Sequence, residues 1–276
     1  GLPGAPATAA PQRPVAPPAA RPAEGAPPPA GALAPAGNAS PAGIASPAAV
    51  GDPDLALVRQ EMAEVTLGVL SRATAPLPPP ESPIAIAVVR DEAVLLPDFL
   101  RHHRALGIRR FCIIDNGSTD GTQAVLAAQP DVDLFECRRP FDWRLKHGWI
   151  NRAIAGYGHD RWYLHLDADE QLVFDGAERH GIDALVALME GRGIRRVRGL
   201  LVDMYADAPL LEAPDPAGRR LAEAFPFHDR EGYRQFRLPS MIAVRGGPRR
   251  RVFAAAGAEF DPELSKLPLF RLSAGE

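Results

Sequence analysis

The stretch that decides the fold is RWYLHLDADE, residues 161–170, in which a short apolar run ends at three acidic residues. The run has the aromatic and apolar composition of a buried β-strand. Because ligands of an open α/β sheet bind beyond the carboxyl ends of its strands, we expect these acids to face a ligand. Asp167 and Asp169 point the same way in an extended segment, since they lie two residues apart. The pair predicts a divalent metal site that holds phosphate; an acidic turn that only closes the strand is the alternative.

Strands and helices alternate on both sides of this stretch. Apolar runs and helical spacing predict strands at 84–89, 111–114, 132–137 and 162–166, with helices at 97–106, from Ser118 or Thr119 to about 128, and at 144–157, followed by a helix at 182–189 and strands at 196–203 and 241–244. Strands separated by helices of this length form parallel, right-handed units. The sequence therefore predicts an α/β fold, a wound and mostly parallel sheet with helices on both faces.

The N-terminal part of the chain has a different composition. Residues 1–53 are mostly Ala, Pro and Gly, which cannot bury enough apolar surface to offset their ordering entropy. Residues 54 to about 71 place apolar side chains on one helical face and Glu61 and Glu64 on the polar face. We therefore predict a disordered linker at 1–53, an amphipathic helix with a Pro-rich spacer at 54–83, and one α/β domain at 84–276. Because the first residue is Gly, we expect an upstream domain before the linker.

Bulk composition argues against several classes of function. A net charge of -3 and a pI of about 6.2 give no support for nucleic acid as a partner. No apolar run is long enough to predict a transmembrane segment, and the N-terminus lacks the features of a signal peptide. Cys112 and Cys137 lie in predicted strands without disulfide or zinc spacing, which predicts buried thiols and fits a cytoplasmic location.

A second acidic motif ends the predicted strand at 111–114. The stretch IIDNGSTDGT, residues 113–122, places Asp115 at the end of that strand, before Asn116 and Gly117, which tolerate a tight turn. A carboxylate there can accept hydrogen bonds from a base N–H or a ribose hydroxyl. An ordinary strand-to-helix turn, in which Asp115 bonds only to nearby backbone, explains the spacing equally well.

Further motifs occur in a fixed order. VVRDEAVLLPDFLRHHRALGI, residues 88–108, precedes the two acidic motifs, and RGGPRRRVF (245–253) and LSKLPLFR (264–271) follow them. The series resembles the family-2-like glycosyltransferases, in the branch with an Asn-Glu first strand end, a His-His pair, Asp-Asn-Gly-Ser-x-Asp-Gly-Thr and Asp-x-Asp-Glu. The first of these motifs corresponds to Arg90, Asp91 and Glu92 in this chain, and the second to His102 and His103. The resemblance covers residue 84 to the end and implies the GT-A fold, a Rossmann-like nucleotide-diphosphosugar transferase domain.

The resemblance also implies roles for single residues. Asp115, with Asn116 beside it, would read the nucleotide base or ribose, and Asp91 and Glu92 would lie near the nucleoside. Asp167 and Asp169 would hold Mn²⁺ or Mg²⁺ against the donor diphosphate, where a cation stabilises the negative charge that grows on the leaving group.

Basic residues complete the implied donor site. Lys146, Asn151 and Arg152 of the third helix would lie near the donor, with a solvated helix face as the alternative. Arg249, with Arg250 and Arg251, would close over the diphosphate as a mobile basic loop, with a plain exposed loop as the alternative. His147 and His165 are interpreted as structural residues.

The catalytic base has three candidates. Asp229 and Glu231, within FHDREGYRQF (227–236), follow the metal motif at a place where related enzymes keep an acid, and Glu170 is the third. Asp91 replaces the usual Asn of the branch, and Gln171 replaces an aromatic residue. The branch continues beyond LSKLPLFR with a short segment, often containing a His, so we expect this chain to be truncated at its C-terminus.

The leading hypothesis is therefore a metal-dependent glycosyltransferase that uses a nucleotide-diphosphosugar donor and a glycan, lipid-linked or small-molecule acceptor. A non-catalytic nucleotide-binding remnant of the same fold is the first alternative, which the Asp91 replacement and the short C-terminus keep open. A phosphatase of the haloacid dehalogenase type is the second, but such enzymes need Thr or Val two residues after the second Asp, where this chain has Gln171.

Overall fold

The structure, a computed structural model, describes residues 53–209, 212–238 and 241–273. Apart from Pro53, the linker predicted at 1–53 lies outside the described residues. The helices are α1 (Pro53–Glu64), α2 (Leu96–Ala105), α3 (Thr122–Ala127), α4 (Trp143–Tyr157), α5 (Ala177–Gly191), α6 (Leu221–Ala224) and α7 (Gly247–Ala255). The strands are β1 (Gly68–Ser71), β2 (Ile84–Val89), β3 (Phe111–Asp115), β4 (Val132–Glu136), β5 (Trp162–His165), β6 (Arg196–Leu200), β7 (Tyr233–Leu238), β8 (Met241–Gly246) and β9 (Ser265–Arg271).

One mixed sheet of seven strands organises the fold, in the order β1-β4-β3-β2-β5-β9-β6. The strands β4, β3, β2 and β5 are parallel neighbours, whereas β1 pairs antiparallel with β4, and β9 pairs antiparallel with both β5 and β6. The predicted α/β class and mostly parallel sheet are therefore confirmed. The antiparallel β9 was not predicted from the sequence. The strands β7 and β8 form a separate antiparallel pair.

Helices cover both faces of the sheet, as the apolar runs of the central strands require. One core packs side chains of α2, α3 and α5 against alternate residues of β2 and β3, among them Phe99, Leu126, Ile182, Ala87 and Ile113. The other core packs α4 against the opposite face, with Trp149 and Ile154 against Ile86 and Ile114. Cys112 and Cys137 are buried free thiols, as predicted. Among the described helices, none has the length and apolar character needed to cross a membrane.

The N-terminal helix is shorter than its sequence pattern predicted, and its polar face is partly buried. The helix ends at Glu64, and residues 68–71 form β1 along the edge of β4, because Gly68 disfavours continuation of the helix and the following Val69 suits an edge strand. Glu61, predicted to face solvent, is buried against α4. Its carboxylate accepts a hydrogen bond from Trp149 Nε1 at 2.7 Å and pairs with Arg139 Nε at 2.7 Å.

Three further elements differ from the prediction. Helix α3 begins at Thr122 after Gly121, whose φ is 99°, so neither Ser118 nor Thr119 caps it. Helix α5 spans Ala177–Gly191, longer than predicted, with a non-helical backbone at Gly181. The three arginines at 249–251 lie on α7, so the predicted loop, mobile or plainly exposed, is wrong for these residues.

The topology brings distant stretches together at the carboxyl edge of the central strands. Strands β2, β3 and β5 all end there because they are parallel neighbours. Since β9 runs antiparallel to β5, with Leu269 opposite Leu164, the start of β9 meets the end of β5. The carboxyl edge of the central strands is therefore formed by the loops after β2, β3 and β5 together with the first residues of β9.

Candidate functional site

Asp91 joins the loops that follow β2 and β3. Its φ is 55°, in the left-handed region that Asp and Asn enter more readily than most residues. Its backbone N–H donates to Ser118 Oγ at 2.9 Å, and its Oδ1 accepts from the backbone N–H of Thr119 at 2.6 Å. The carboxylate of Asp91 therefore holds two loops together.

Glu92 follows in the same loop and faces the other acids of this edge. Its backbone N–H donates to Thr122 Oγ1 at 2.8 Å. Burial, followed by the negative charges of Asp169, Asp120, Asp167 and Asp91, raises the pKa of Glu92 to about 7. A carboxyl group with a pKa near neutrality, beside other acids and close to a strand end, is typical of a functional site.

Asp115 is completely buried at the end of β3. Its Oδ2 accepts hydrogen bonds from the backbone N–H groups of Gly117 and Ser118, both at 3.1 Å, and from Gln123 Nε2 at 2.7 Å. Its Oδ1 is buried and has no hydrogen-bond partner among the residues that the structure describes. One oxygen thus makes the local turn, and the other is an unsatisfied buried acceptor, which costs free energy until a donor reaches it.

Asn116 connects β3 to the segment after β4. Its Nδ2 donates to the carbonyl oxygens of Cys137 at 2.7 Å and Arg139 at 2.9 Å. The two amide hydrogens are therefore used within the protein. The amide group thus serves loop packing, while Asn116 Oδ1 is buried without a hydrogen-bond partner among the described residues.

Beyond β5, two acids and two lysines form what we call the acid–lysine cluster: Asp167, Glu170, Lys146 and Lys266. The ammonium group of Lys146, on α4, contacts Asp167 Oδ1, and that of Lys266, on β9, lies 3.3 Å from Asp167 Oδ2. Lys266 also contacts Glu170 Oε2, which accepts the backbone N–H of Asp167 at 2.9 Å. Both oxygens of Asp167 are therefore paired with a cation supplied by the chain.

The charges of the cluster are strongly coupled. Burial opposes ionisation of Asp167, but Lys146 and Lys266 outweigh it and hold the pKa of Asp167 well below its usual range. Burial raises the pKa of Glu170 despite the neighbouring Lys266. Two ammonium groups supplied by the chain therefore relieve much of the repulsion between these acids.

Asp169 is the acid of this motif whose side chain can still bind a ligand. Its side chain is exposed, and it makes no hydrogen bond or ion pair within the described ranges. In the same ranges, no group of three or more His, Cys, Asp or Glu side chains is arranged to hold a metal ion. Mg²⁺, however, is commonly bound by one or two carboxylates together with water and substrate phosphates. The donor set of Asp167 and Asp169 fits that incomplete type of site and no closed metal cage.

The other predicted residues of α4 lie apart from the cluster. Asn151 and Arg152 follow Lys146 by five and six residues, or about 7–9 Å along the helix, toward the amino edge of the sheet. The rings of His147 and His165 pack edge to face, with centroids 6.2 Å apart. Burial and Lys146 lower the pKa of both histidines, so that neutral imidazole rings pack here. The buried Nε2 of His165 has no hydrogen-bond partner among the described residues.

Two of the candidate catalytic bases, Asp229 and Glu231, line a separate cavity of about 550 Å³. Tyr205, Arg250 and Arg251 are among its other lining residues. Asp229 accepts hydrogen bonds from Tyr205 Oη at 2.8 Å and from two guanidinium nitrogens of Arg251 at 3.0 Å. The hydrogen bond from Arg251, with that from Tyr205, lowers the pKa of Asp229. The third candidate base, Glu170, belongs to the acid–lysine cluster instead.

The arginines of α7 are held by carboxylates. Arg249 Nε lies 2.8 Å from Asp203 Oδ2, and Arg250 Nε lies 3.4 Å from Asp261 Oδ1. These pairs, with that of Arg251, anchor the first turns of the helix to the segments around it. Lys266, in contrast, was not predicted from the sequence at all. Its sequence signals are its place in the LSKLPLFR motif and the rarity of lysine in this chain.

Comparisons with known proteins give a limited result. No protein-family model matches the chain, and a search of curated proteins also found no match. Among solved structures, the chain is similar to the mannosyltransferase PcManGT from Pyrobaculum calidifontis in complex with GDP-Man and Mn²⁺. That similarity has 18% sequence identity and a TM-score of 0.29, and it covers 48% of this chain and 39% of that chain. At this level the similarity carries no argument about activity, so any function must be argued from the site.

Proposed function

We propose that this chain is a glycosyltransferase of the GT-A fold, which transfers a sugar from a nucleotide-diphosphosugar to an acceptor hydroxyl. The observation that carries the proposal is the meeting of three separate motifs at one sheet edge. Glu92, Asp115 and the pair Asp167 and Asp169 lie far apart in the sequence, yet each lies at or just after the end of one of the neighbouring strands β2, β3 and β5. Ligands of open α/β sheets bind at this edge.

Each acid has a distinct part in the proposed donor site. The buried and unpartnered Oδ1 of Asp115 would accept a hydrogen bond from the base or ribose, which would satisfy it. Asp169, with Asp167, would hold Mn²⁺ or Mg²⁺. When bound, such a cation would neutralise charge on the departing nucleoside diphosphate. Glu92, whose pKa is raised in part by the charge of Asp169, would be a further carboxyl group near this site.

For the acceptor, we propose the cavity that contains Asp229 and Glu231. Asp229 is a weak base because Arg251 and Tyr205 already bind its carboxylate. Glu231 is exposed in the same cavity and has no such partner among the described residues. Of these two acids, Glu231 is therefore the one whose carboxylate is free to approach an acceptor hydroxyl, with Asp229 positioning Arg251 and Tyr205.

The same geometry bears on domain boundaries. We propose that the transferase domain begins with α1, before the predicted boundary at residue 84. Strand β1 extends the sheet by pairing with β4, and Glu61 of α1 bonds to Trp149 of α4. The described ranges that follow the 1–53 linker would thus act as one folding unit.

A non-catalytic nucleotide-binding remnant remains the second candidate. The observation that favours it is the pairing of Asp167 with two lysines, since a metal ligand that is already neutralised has less affinity for a cation. Turnover distinguishes the two, because a remnant would bind a nucleotide without cleaving a donor.

The test is a donor-cleavage assay with purified residues 1–276, a panel of UDP-, GDP- and dTDP-sugars, and either Mn²⁺ or EDTA. We expect one donor to release its nucleoside diphosphate only with the metal. The matching nucleoside diphosphate with Mn²⁺ should raise the melting temperature by mass action, and beryllofluoride should not. Nucleotide binding without cleavage would identify the remnant, and stabilisation by beryllofluoride alone would contradict both.

A further inference from the structure

Both lysines of the chain lie at the same carboxylate. The sequence contains 31 lysine and arginine residues, and only Lys146 and Lys266 are lysines. Lys146 is the fourth residue of α4 and Lys266 the second of β9, yet both ammonium groups contact Asp167. A chain that uses arginine at every other basic position thus has both lysines at one point of the carboxyl edge. This coincidence indicates a chemical need for lysine there.

Folding stability does not explain the two lysines. Their side chains are only 14% and 11% exposed, so both ammonium groups are largely removed from water. The attraction between buried opposite charges roughly repays their desolvation, and apolar residues in the same place are often as stabilising. Lysines retained in such a position need another explanation.

Lysine differs from arginine in a way that suits exchange of one anion for another. A guanidinium group binds a carboxylate with two parallel hydrogen bonds in a fixed planar geometry. An ammonium group is a compact charge with three donors on a flexible stem, and it binds phosphate as a point charge. Lys146 and Lys266 reach Asp167 from two different elements, so they can bind two neighbouring oxygens of an anion that displaces the carboxylate.

We propose that Lys146 and Lys266 form a diphosphate-binding site, which Asp167 occupies until a diphosphate takes its place. The phosphate oxygens then accept the ammonium hydrogen bonds, and the freed carboxylate of Asp167 becomes available to a divalent cation. The inference rests on the proposed function for its natural ligand, a nucleoside diphosphate. It requires that the diphosphate bind without a metal.

The first experiment measures binding of inorganic pyrophosphate, UDP and GDP by calorimetry in EDTA at low salt. We expect the wild type to bind pyrophosphate, and Lys146→Met and Lys266→Met each to weaken it by about 10-fold or more, the usual effect of losing a charge-assisted hydrogen bond. Arg192→Met is the matched control, because it removes an exposed cation just after α5, at the opposite edge of the sheet. Absence of metal-free binding by the wild type, or wild-type affinity in both lysine variants, would overturn the proposal.

A second variant keeps the proposal testable if either lysine variant fails to fold. Asp167→Asn removes the carboxylate that competes for the ammonium groups. It should tighten metal-free pyrophosphate binding by about 3–10-fold, given that two competing ion pairs are lost. Unchanged or weaker binding in folded Asp167→Asn would contradict the lysine site.

The outcomes separate this inference from the proposed function. Metal-dependent donor cleavage that is insensitive to both lysine substitutions would support the proposed glycosyltransferase activity and contradict the diphosphate-binding role of the lysines. Lysine-dependent pyrophosphate binding, without cleavage of any nucleotide-sugar, would support the diphosphate-binding role of the lysines and contradict the proposed glycosyltransferase activity.

Discussion

Glu61 of α1 accepts a hydrogen bond from the indole Nε1 of Trp149 of α4 at 2.7 Å, and both side chains are buried. The same carboxylate pairs with Arg139. The bond attaches the N-terminal helix to the helix that carries Lys146. The predicted N-terminal helix thus packs against α4 through a buried acid.

This contact predicts a measurable cost when the indole N–H is removed. Trp149→Phe should lower the free energy of unfolding by about 1–3 kcal/mol beyond the loss of ring volume, because the buried carboxylate loses a donor. Trp143→Phe, at the half-exposed start of the same helix, serves as the control and should change stability less. Urea denaturation measures both, and equal effects of the two substitutions would contradict the buried bond.

Close packing between α1 and α4 depends on Gly148. A Cβ atom there would lie 2.8 Å from both Cβ and Cγ of Glu61, whereas one at Gly156, also on α4, would meet nothing within 4 Å. We expect Gly148→Ala to destabilise by about 1–3 kcal/mol through overpacking. Gly156→Ala should stabilise by about 0.5–1 kcal/mol through helix propensity. Similar shifts of melting temperature for the two variants would show that α1 does not pack as described.

Substitutions at Asp115 and at its partner Gln123 distinguish a role in ligand binding from a purely structural role. Asp115→Asn should weaken nucleoside diphosphate binding by about 1.5–3 kcal/mol, the range for a hydrogen bond to a charged group. Gln123→Ala removes a partner of Oδ2 and leaves Oδ1 untouched, so it should lower stability and preserve affinity. Calorimetric titration of folded protein is the measurement. Unchanged affinity in Asp115→Asn would reduce this acid to a residue of the turn.

The raised pKa of Glu92 predicts that the stability of the metal-free protein depends on pH. Its pKa in the folded state, about 7, lies above the ordinary value of 4.5, so its contribution is complete below pH 4.5 and is lost as the pH rises through 7. Glu92→Gln should therefore match the wild type near pH 4.5 and exceed its stability at pH 8 by about 1–2 kcal/mol, after allowance for solvent screening.

The measurement for Glu92 is urea denaturation in EDTA at pH 5 and pH 8. Glu81→Gln, which changes an exposed acid, is the control and should show the wild-type pH dependence. A stability difference between Glu92→Gln and wild type that is the same at both pH values would refute the raised pKa.

Asp167 and Asp169 should respond oppositely to the same substitution when no metal is bound. Asp169→Asn removes an exposed and unpaired charge, so the melting temperature should stay equal or rise. Asp167→Asn deprives two largely buried ammonium groups of a partner and should cost about 1–3 kcal/mol.

The same pair tests the proposed metal. Asp169→Asn should reduce metal-dependent donor cleavage by about 10²-fold or more, because charge stabilisation at a leaving group is worth several kcal/mol. Donor cleavage at the wild-type rate in this variant, or in wild type after exhaustive chelation, would exclude the metal role.

The local composition of the sequence alone determined the central strands and the acids at their ends. Strand β2 has the predicted bounds, and β3 and β5 differ from prediction by one residue, because continuous β-branched and aromatic runs have few other ways to be buried. Asp115 and Asp167 were assigned to strand ends because each directly follows such a run. These are local signals, and they survive in any fold that buries the runs.

The tertiary structure alone decided which charges meet. Glu61 has the helical position of a solvent-facing acid, and only the approach of α4 buries it. Lys266 joins Asp167 because the late strand β9 pairs antiparallel with β5, a pairing between residues about a hundred positions apart that no local pattern specifies. Propensity and periodicity describe one element at a time, whereas ion pairs between elements depend on register and strand order, which are set by packing of the whole sheet.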